Sequence, residues 1–224
     1  MNVTASYNHQ ELFAAFEAAA DADLAAQMSA YMRDQFAFLG IKTPQRKALS
    51  KDFLKVAKKV PEVDWGFIDA CWARDEREFQ YLALDYLQAM KKKLAPADIP
   101  RIKRLAQAKS WWDTVDNLDT VVGEVALAYP EVKQTMLAWS VDDDFWLRRL
   151  AIDHQLLRKE QTDTVLLRRI LVNNLGQTEF FINKAIGWAL RDYSKTDPAW
   201  VRAFIDKHRE RMAALSIREA SKYL

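Results

Sequence analysis

Ala83-Leu84-Asp85, Asn117-Leu118-Asp119, Ala151-Ile152-Asp153 and Ala185-Ile186-Gly187 recur at intervals of 34 residues. Trp112, Trp146 and Phe180 stand six residues before the Leu/Ile position in three of these segments. A period of this length in a helical chain predicts stacked helical hairpins. One hairpin is too thin to bury its own apolar face, so neighbours must cover one another. The expected fold is all-α, an α-solenoid whose stack curves and offers a concave side to a ligand.

Outward from these segments, apolar residues recur at helical spacing along nearly the whole chain. Leu12, Phe13 and Phe16 mark a helix from Glu11 to Ala20, and Met28, Tyr31 and Met32 another from Leu24 to Phe36. Thr43-Pro44 and Asp197-Pro198 each read as an N-cap followed by Pro in the first turn. Ala95-Pro96 and Tyr129-Pro130 mark further helix starts, and Gly40, Gly66 and Gly176 mark breaks. The pattern predicts about a dozen helices and no strand. With no low-complexity linker to divide it, the chain is read as one domain over residues 1–224.

Composition narrows the function classes. Half of the 224 residues are apolar and 12% are aromatic, which suits a packed core and excludes a disordered chain. Five Gly and six Pro are too few for a turn-rich β-sandwich or barrel. The single cysteine, Cys71, excludes a disulfide framework and any multi-cysteine zinc site, and His9, His154 and His208 are scattered. No apolar run approaches the roughly 20 residues of a membrane span. Met1 to Glu17 lacks the basic and apolar regions of a secretory leader, so a cytoplasmic, reduced protein is expected. Residues 1–100 hold 13 basic and 14 acidic side chains, and residues 101–224 hold 20 and 17. This slight basic excess is only a hint of a polyanionic partner.

The repeat register points to particular residues. With Trp112 as position zero, Leu84, Leu118, Ile152 and Ile186 at plus six and Val122, Leu156 and Leu190 at plus ten are read as core. Asp116 at plus four, Arg149 at plus three and Trp188 at plus eight are read, with Trp112, as sharing the opposite side. Asp113 and Asp119, at plus one and plus seven, are read as pointing away from Asp116. Aromatic faces and a carboxylate favour a cationic ligand, or a reaction that develops positive charge. Cleavage of a glycosidic bond is such a reaction. The simpler alternatives are inter-layer packing for Trp112 and Trp188 and a plain salt bridge for Asp116 with Arg149. Cys71 reads as a buried filler, His154 as a structural histidine, and Lys91-Lys92-Lys93 as a solvated helix end. Trp65, Trp72, Trp139 and Trp200 read as packing.

At these residues the chain resembles a known family. Lys109-Ser110-Trp111-Trp112-Asp113-Thr114-Val115-Asp116 is similar to the signature of the bacterial AlkD-type DNA glycosylases, alkylation repair enzymes built of HEAT-like repeats. Further similarity lies in Phe38 to Pro44, Glu76 to Gln80, Trp146 to Arg149, Phe180 to Tyr193 and Leu215 to Ala220, in order along nearly the whole chain. The resemblance implies excision of cationic N3- and N7-alkylated purines from duplex DNA without capture of the flipped base in a pocket, unlike most enzymes that act on bases. It implies that Trp112 and Trp188 contact the lesion's sugar. Asp116 would stabilise the oxocarbenium and place the attacking water. Arg149 and Arg191 would hold the backbone, with Arg148, Lys184 and Arg218 beside them. Lys42, Thr43, Arg46 and Lys47 would face phosphate at a helix start. Lys42 stands where the AlkD type carries Gln, which leaves the lesion preference open. No cofactor or metal is implied. The implied partner is double-stranded DNA bearing alkylated bases, with no membrane contact, and the chain is expected to be a monomer. Two other classes stay open: a non-catalytic relative that binds distorted DNA, and a scaffold for a protein partner.

Overall fold

The computed structural model describes residues 9–224, and the start of the leader reading, residues 1–8, lies outside them. The described residues form thirteen α-helices: α1 His9–Ala18, α2 Ala22–Tyr31, α3 Thr43–Ala57, α4 Trp65–Ala73, α5 Arg77–Met90, α6 Ile99–Gln107, α7 Trp112–Ala128, α8 Val132–Trp139, α9 Phe145–Asp153, α10 Thr164–Asn173, α11 Phe180–Ser194, α12 Pro198–His208 and α13 Ala214–Ala220. A single β-bridge, Ala37 to Glu76, is their only strand-like pairing. The all-helical expectation holds, as an α-solenoid repeat fold. No helix among the described residues is long and apolar enough to cross a membrane.

Local chemistry sets the helix starts. Asp21, Asp64, Asp144, Asp163 and Asp197 each accept a backbone N–H of the first turn, which satisfies a donor that has no partner within the helix. The Asp197-Pro198 reading is therefore correct. The Thr43-Pro44 reading shifts by one: Lys42 is the cap residue, without a side-chain bond, and Thr43 is already helical. Pro130 precedes α8 by two residues and shapes the turn before it. Gly40 and Gly176 adopt positive φ in loops, whereas Gly66 sits inside the first turn of α4 rather than at a break.

The chain divides into two compact units, Met1–Lys93 and Leu94–Leu224. In the first unit α3 packs on α1 and α5, and α4 covers α5. Its core is aromatic, with Phe16, Phe53, Phe67 and Phe79 all buried. The side chain of Glu78 is fully buried and accepts the backbone N–H groups of Leu39, Gly40 and Ile41 at 2.9–3.0 Å, which fixes the loop leading into α3. Lys93 donates to the Lys58 carbonyl at 2.7 Å and to that of Val60. The lysine run thus contributes a cation to the carbonyls at the end of α3, a favourable end for positive charge.

In the second unit α7, α9, α11 and α13 pack in succession, with α6, α8, α10 and α12 against them. Leu118, Ile152 and Ile186 at plus six are buried in this stack. At plus ten Val122 and Leu190 are buried, but Leu156 is half-buried because α9 ends at Asp153, three residues short of that position. Position zero is not one environment: Trp146 is buried, Trp112 half-buried and Phe180 57% exposed. Gly187 admits α13 to α11. A Cβ at Gly187 would lie 2.5 Å from the Cβ of Glu219 and 3.2 Å from the Ser216 carbonyl oxygen.

Candidate active site

Asp116 on α7 and Arg149 on α9 form a bidentate pair, Nε to Oδ1 at 2.6 Å and Nη2 to Oδ2 at 2.8 Å. Arg149 also donates from Nη1 to the carbonyl of Phe181 at 2.6 Å, so every guanidinium nitrogen is engaged. Its side chain is 2% exposed, against 20% for Asp116. Fork-to-fork pairs of this kind fix orientation as well as charge. The guanidinium carbon lies 5.1 Å from the centre of the Trp188 ring on α11. Trp112 is one helical turn before Asp116 on the same face of α7. The structure therefore brings Asp116, Arg149 and Trp188 together in one unit, with Trp112 on the face that carries Asp116.

Two assignments from the register need correction. At 100° per residue, plus three lies at about 300°, beside plus ten at about 280°, so Arg149 belongs to the buried side. Plus seven lies at about 340°, close to Trp112, so Asp119 does not point away. The plus-seven aspartates of both helices, Asp119 and Asp153, are buried next to the Asp116–Arg149 pair. Asp153 Oδ2 is 3.9 Å from Arg149 Nε, yet neither Asp153 oxygen has a hydrogen-bond partner, nor does Asp119 Oδ1.

Three carboxylates thus face one guanidinium in a dry setting. Burial pushes the pKa of Asp153 up to about 7, with Arg149 pulling it down and Asp116 adding to the rise. Burial and then the charges of Asp153 and Asp116 push Asp119 well above the ordinary range. For Asp116 burial is again the largest influence and raises the pKa, against the hydrogen bonds and charge of Arg149. Arg149 is held protonated: burial opposes its charge, but Asp116, Asp153 and Asp119 outweigh burial. The short bidentate bonds mark Asp116 as the ionised member of the group, while burial shifts Asp119 and Asp153 towards their protonated forms.

Asp153 has a folded pKa of about 7, against about 3.9 for an unfolded aspartate. Between those values the folded chain keeps a proton that the unfolded chain has lost, so stability falls as pH rises through the window. Asp153→Asn removes that dependence. The melting temperature of the variant, relative to the native chain, is expected to rise steadily from pH 5 to pH 7, by the equivalent of up to about 1.4 kcal/mol per pH unit. Melting curves at several pH values with a constant difference would show that Asp153 is ionised in the fold.

The other expected site residues are placed as follows. Arg148 donates to the carbonyl of Asp142 in the loop before α9 and has a buried, unpartnered Nε; it is not part of the Asp116 group. Lys184 and Arg191 both reach Glu219 and flank Trp188, at 5.8 and 6.0 Å from the ring centre. Arg218 is exposed on α13. In the first unit Lys42, Thr43 and Lys47 are exposed at the start of α3. Arg46 is buried, bonded to Asp85 at 3.0 Å and stacked 5.0 Å over Tyr81. The expected phosphate role of Arg46 gives way to an internal ion pair, since a residue three after Thr43 faces back into its own unit. His154 is buried and neutral, its pKa lowered to about 3 by burial, with Nδ1 donating to the Ala151 carbonyl at 2.7 Å. Cys71 is buried, and burial pushes its thiol well above the usual range. Among the described residues no group of His, Cys, Asp and Glu side chains is arranged to hold a metal ion.

Sequence reasoning missed Glu219. It is buried on α13 and accepts from Lys184, Arg191 and Lys222, each at 2.8 Å. Hydrogen bonds from Lys184 and Lys222 hold its carboxyl low, at about 2. The signal was the break in the repeat itself: Gly187 stands where three other segments carry Asp.

The comparison with known proteins settles the family. A description of DNA alkylation repair enzymes matches residues 12–224. The chain belongs to that family. A solved structure titled "Predicted DNA alkylation repair enzyme from Enterococcus faecalis" is 37% identical, with a TM-score of 0.85 over 92% of this chain and 96% of that one. No protein of curated function matches. As a family member the chain is a DNA alkylation repair enzyme, with DNA as its substrate.

Proposed function

We propose that the chain is a monofunctional, AlkD-type DNA glycosylase. It would hydrolyse the N-glycosidic bond of cationic N3- and N7-alkylated purines in double-stranded DNA. The observation that carries this reading is Asp116, a half-buried carboxylate held in fixed orientation by Arg149 beside Trp188. A protein that only grips a polyanion gains nothing from a carboxylate there. A carboxylate oriented before the substrate arrives stabilises positive charge on the sugar without reorganising during the reaction. It also accepts a proton or hydrogen bond from a water approaching C1′. Trp112 and Trp188 supply aromatic faces for the sugar.

In this reading Arg149 acts through Asp116, and the backbone contacts fall to Lys184, Arg191, Arg218, Lys42, Thr43 and Lys47. Strand cleavage through a Schiff base is not part of the proposal, because the ammonium of Lys184, 5.8 Å from the Trp188 ring centre, is engaged with Glu219. The single HEAT-like repeat domain over 1–224 and the monomeric state belong to the same proposal. The 34-residue register supports the former, since it runs from Leu84 in the first unit to Ile186 in the second.

Incubating the purified chain with methylated duplex DNA is expected to release N7-methylguanine and N3-methyladenine and to leave an intact abasic strand. Tight, salt-sensitive binding without release would instead favour a non-catalytic protein of distorted DNA. Absence of both would favour a protein scaffold.

A further inference from the structure

Four cations crowd one side of the second unit. Arg149, Lys184 and Arg191 lie 5.1, 5.8 and 6.0 Å from the centre of the Trp188 ring. Lys184, Arg191 and Lys222 all donate to the two oxygens of Glu219. Arg149 is neutralised by Asp116, which leaves three cations on one carboxylate. The side chains of Lys184, Arg191 and Lys222 are 26%, 28% and 47% exposed, whereas Glu219 is 5% exposed. The anion is inside and its cations are outside, so the surplus positive charge faces solvent.

The repeat explains how Glu219 came to this place. At plus seven the earlier segments carry their own acid: Asp85 pairs with Arg46, and Asp119 and Asp153 flank Arg149. In the last segment that position is Gly187, and its missing side chain is what lets Glu219 approach from α13. Ser216, one turn earlier, locks the contact by donating to the Asn183 carbonyl at 2.7 Å. A carboxylate from a neighbouring helix thus replaces the one the repeat omits, and it comes with an open ring of cations.

We infer that Lys184, Arg191 and Lys222, gathered on Glu219, form a clamp for one backbone phosphodiester beside Trp188, and that Glu219 is its positioning residue. The inference rests on the reading of the chain as acting on DNA. Three long cationic side chains repel one another and would otherwise sample many rotamers. A buried carboxylate holds them converged, so less freedom is lost when a phosphate arrives. The clamp also bears on substrate choice. The surplus positive charge of the group, carried 5.8 and 6.0 Å from Trp188, disfavours a cationic sugar on that ring. A phosphodiester in the clamp offsets part of that charge. The ligand is therefore an alkylated nucleotide within a strand, not a free nucleoside.

The test measures affinity of the full chain for unmodified and alkylated duplex at several salt concentrations, separately from base release. The combined Lys184→Gln, Arg191→Gln, Lys222→Gln variant is expected to lower the salt slope by about one, the share of a single phosphate, and each single variant by part of that. Glu219→Gln removes a negative charge yet is expected to weaken binding about tenfold, through freed side chains. A duplex with an uncharged methylphosphonate beside the lesion is expected to bind the native chain weakly and to bind the Arg191→Gln chain with no further loss. Free N7-methylated deoxyguanosine should be neither bound nor cleaved. An unchanged salt slope in the combined variant would overturn the clamp. Equal or tighter binding by Glu219→Gln would reduce Glu219 to a structural ion pair and overturn its positioning role. If base release fails while the binding results hold, the clamp stands and the glycosylase reading falls.

Discussion

Asp116→Asn is expected to slow release of alkylated purines by about 100- to 1,000-fold, the usual cost of removing one oriented electrostatic group from a reaction centre. The substitution keeps the shape of the side chain and removes the charge that would face the developing cation. Duplex binding is expected to hold or improve, because a negative charge facing phosphate is lost. The structure adds a further consequence. Asparagine offers Arg149 one acceptor oxygen in place of two, and its amide N–H groups meet a guanidinium that can only donate. Breaking a buried ion pair outright costs about 3–5 kcal/mol. Here the loss should be smaller, since Asp153 lies 3.9 Å from Arg149 and can give up its proton to take over the pairing. Single-turnover release assays read the first effect, fluorescence anisotropy the second and melting curves the third. A native rate in a folded Asp116→Asn chain would end the assignment of Asp116 to the chemistry.

The fold was legible because it follows from a repeated one-dimensional pattern. Leu118, Ile152 and Ile186 must be buried wherever helical hairpins stack, and they are. The candidate site was legible only in part. Asp116 and Trp188 could be placed on converging helices from the register. Arg149 could not, because its charge argued for the surface while its angle on the wheel argued for the core. The angle won, since Asp116 and the Phe181 carbonyl satisfy the guanidinium inside. Arg46 repeats the lesson with Asp85 as partner. Asp119 was discounted because plus seven was taken as a different side, although two helical turns nearly close in seven residues, and Asp153 shares that position one repeat on. Glu219 lay beyond the repeat and was unreachable by register. The break at Gly187 marks the place in the sequence, but only α13 laid against α11 shows that Glu219 fills it.

Arg149→Lys separates two roles for this residue. The resemblance implies a hand on the DNA backbone, and the structure implies an internal brace for Asp116. Lysine preserves the charge but replaces a planar fork by a single ammonium. It cannot serve both Asp116 oxygens and the Phe181 carbonyl with the geometry seen for Arg149. Base release is expected to fall about 10- to 100-fold, since orienting groups contribute through placement of the reacting atoms. Arg149 lowers the pKa of Asp116 through its hydrogen bonds and charge, against a burial that raises it. Loss of part of that pull lets burial gain, so the acid side of the pH–rate profile should move to higher pH. The melting temperature should fall, because a well-satisfied buried guanidinium becomes a poorly satisfied ammonium. The salt slope of duplex binding decides between the roles. A side chain that is 2% exposed and fully bonded within the protein releases no counterions from DNA. The slope for Arg149→Lys, and for a folded Arg149→Gln, should equal that of the native chain. A slope lower by about one in Arg149→Gln would place the guanidinium on a phosphate. It would also require that the Asp116 pair opens when DNA binds.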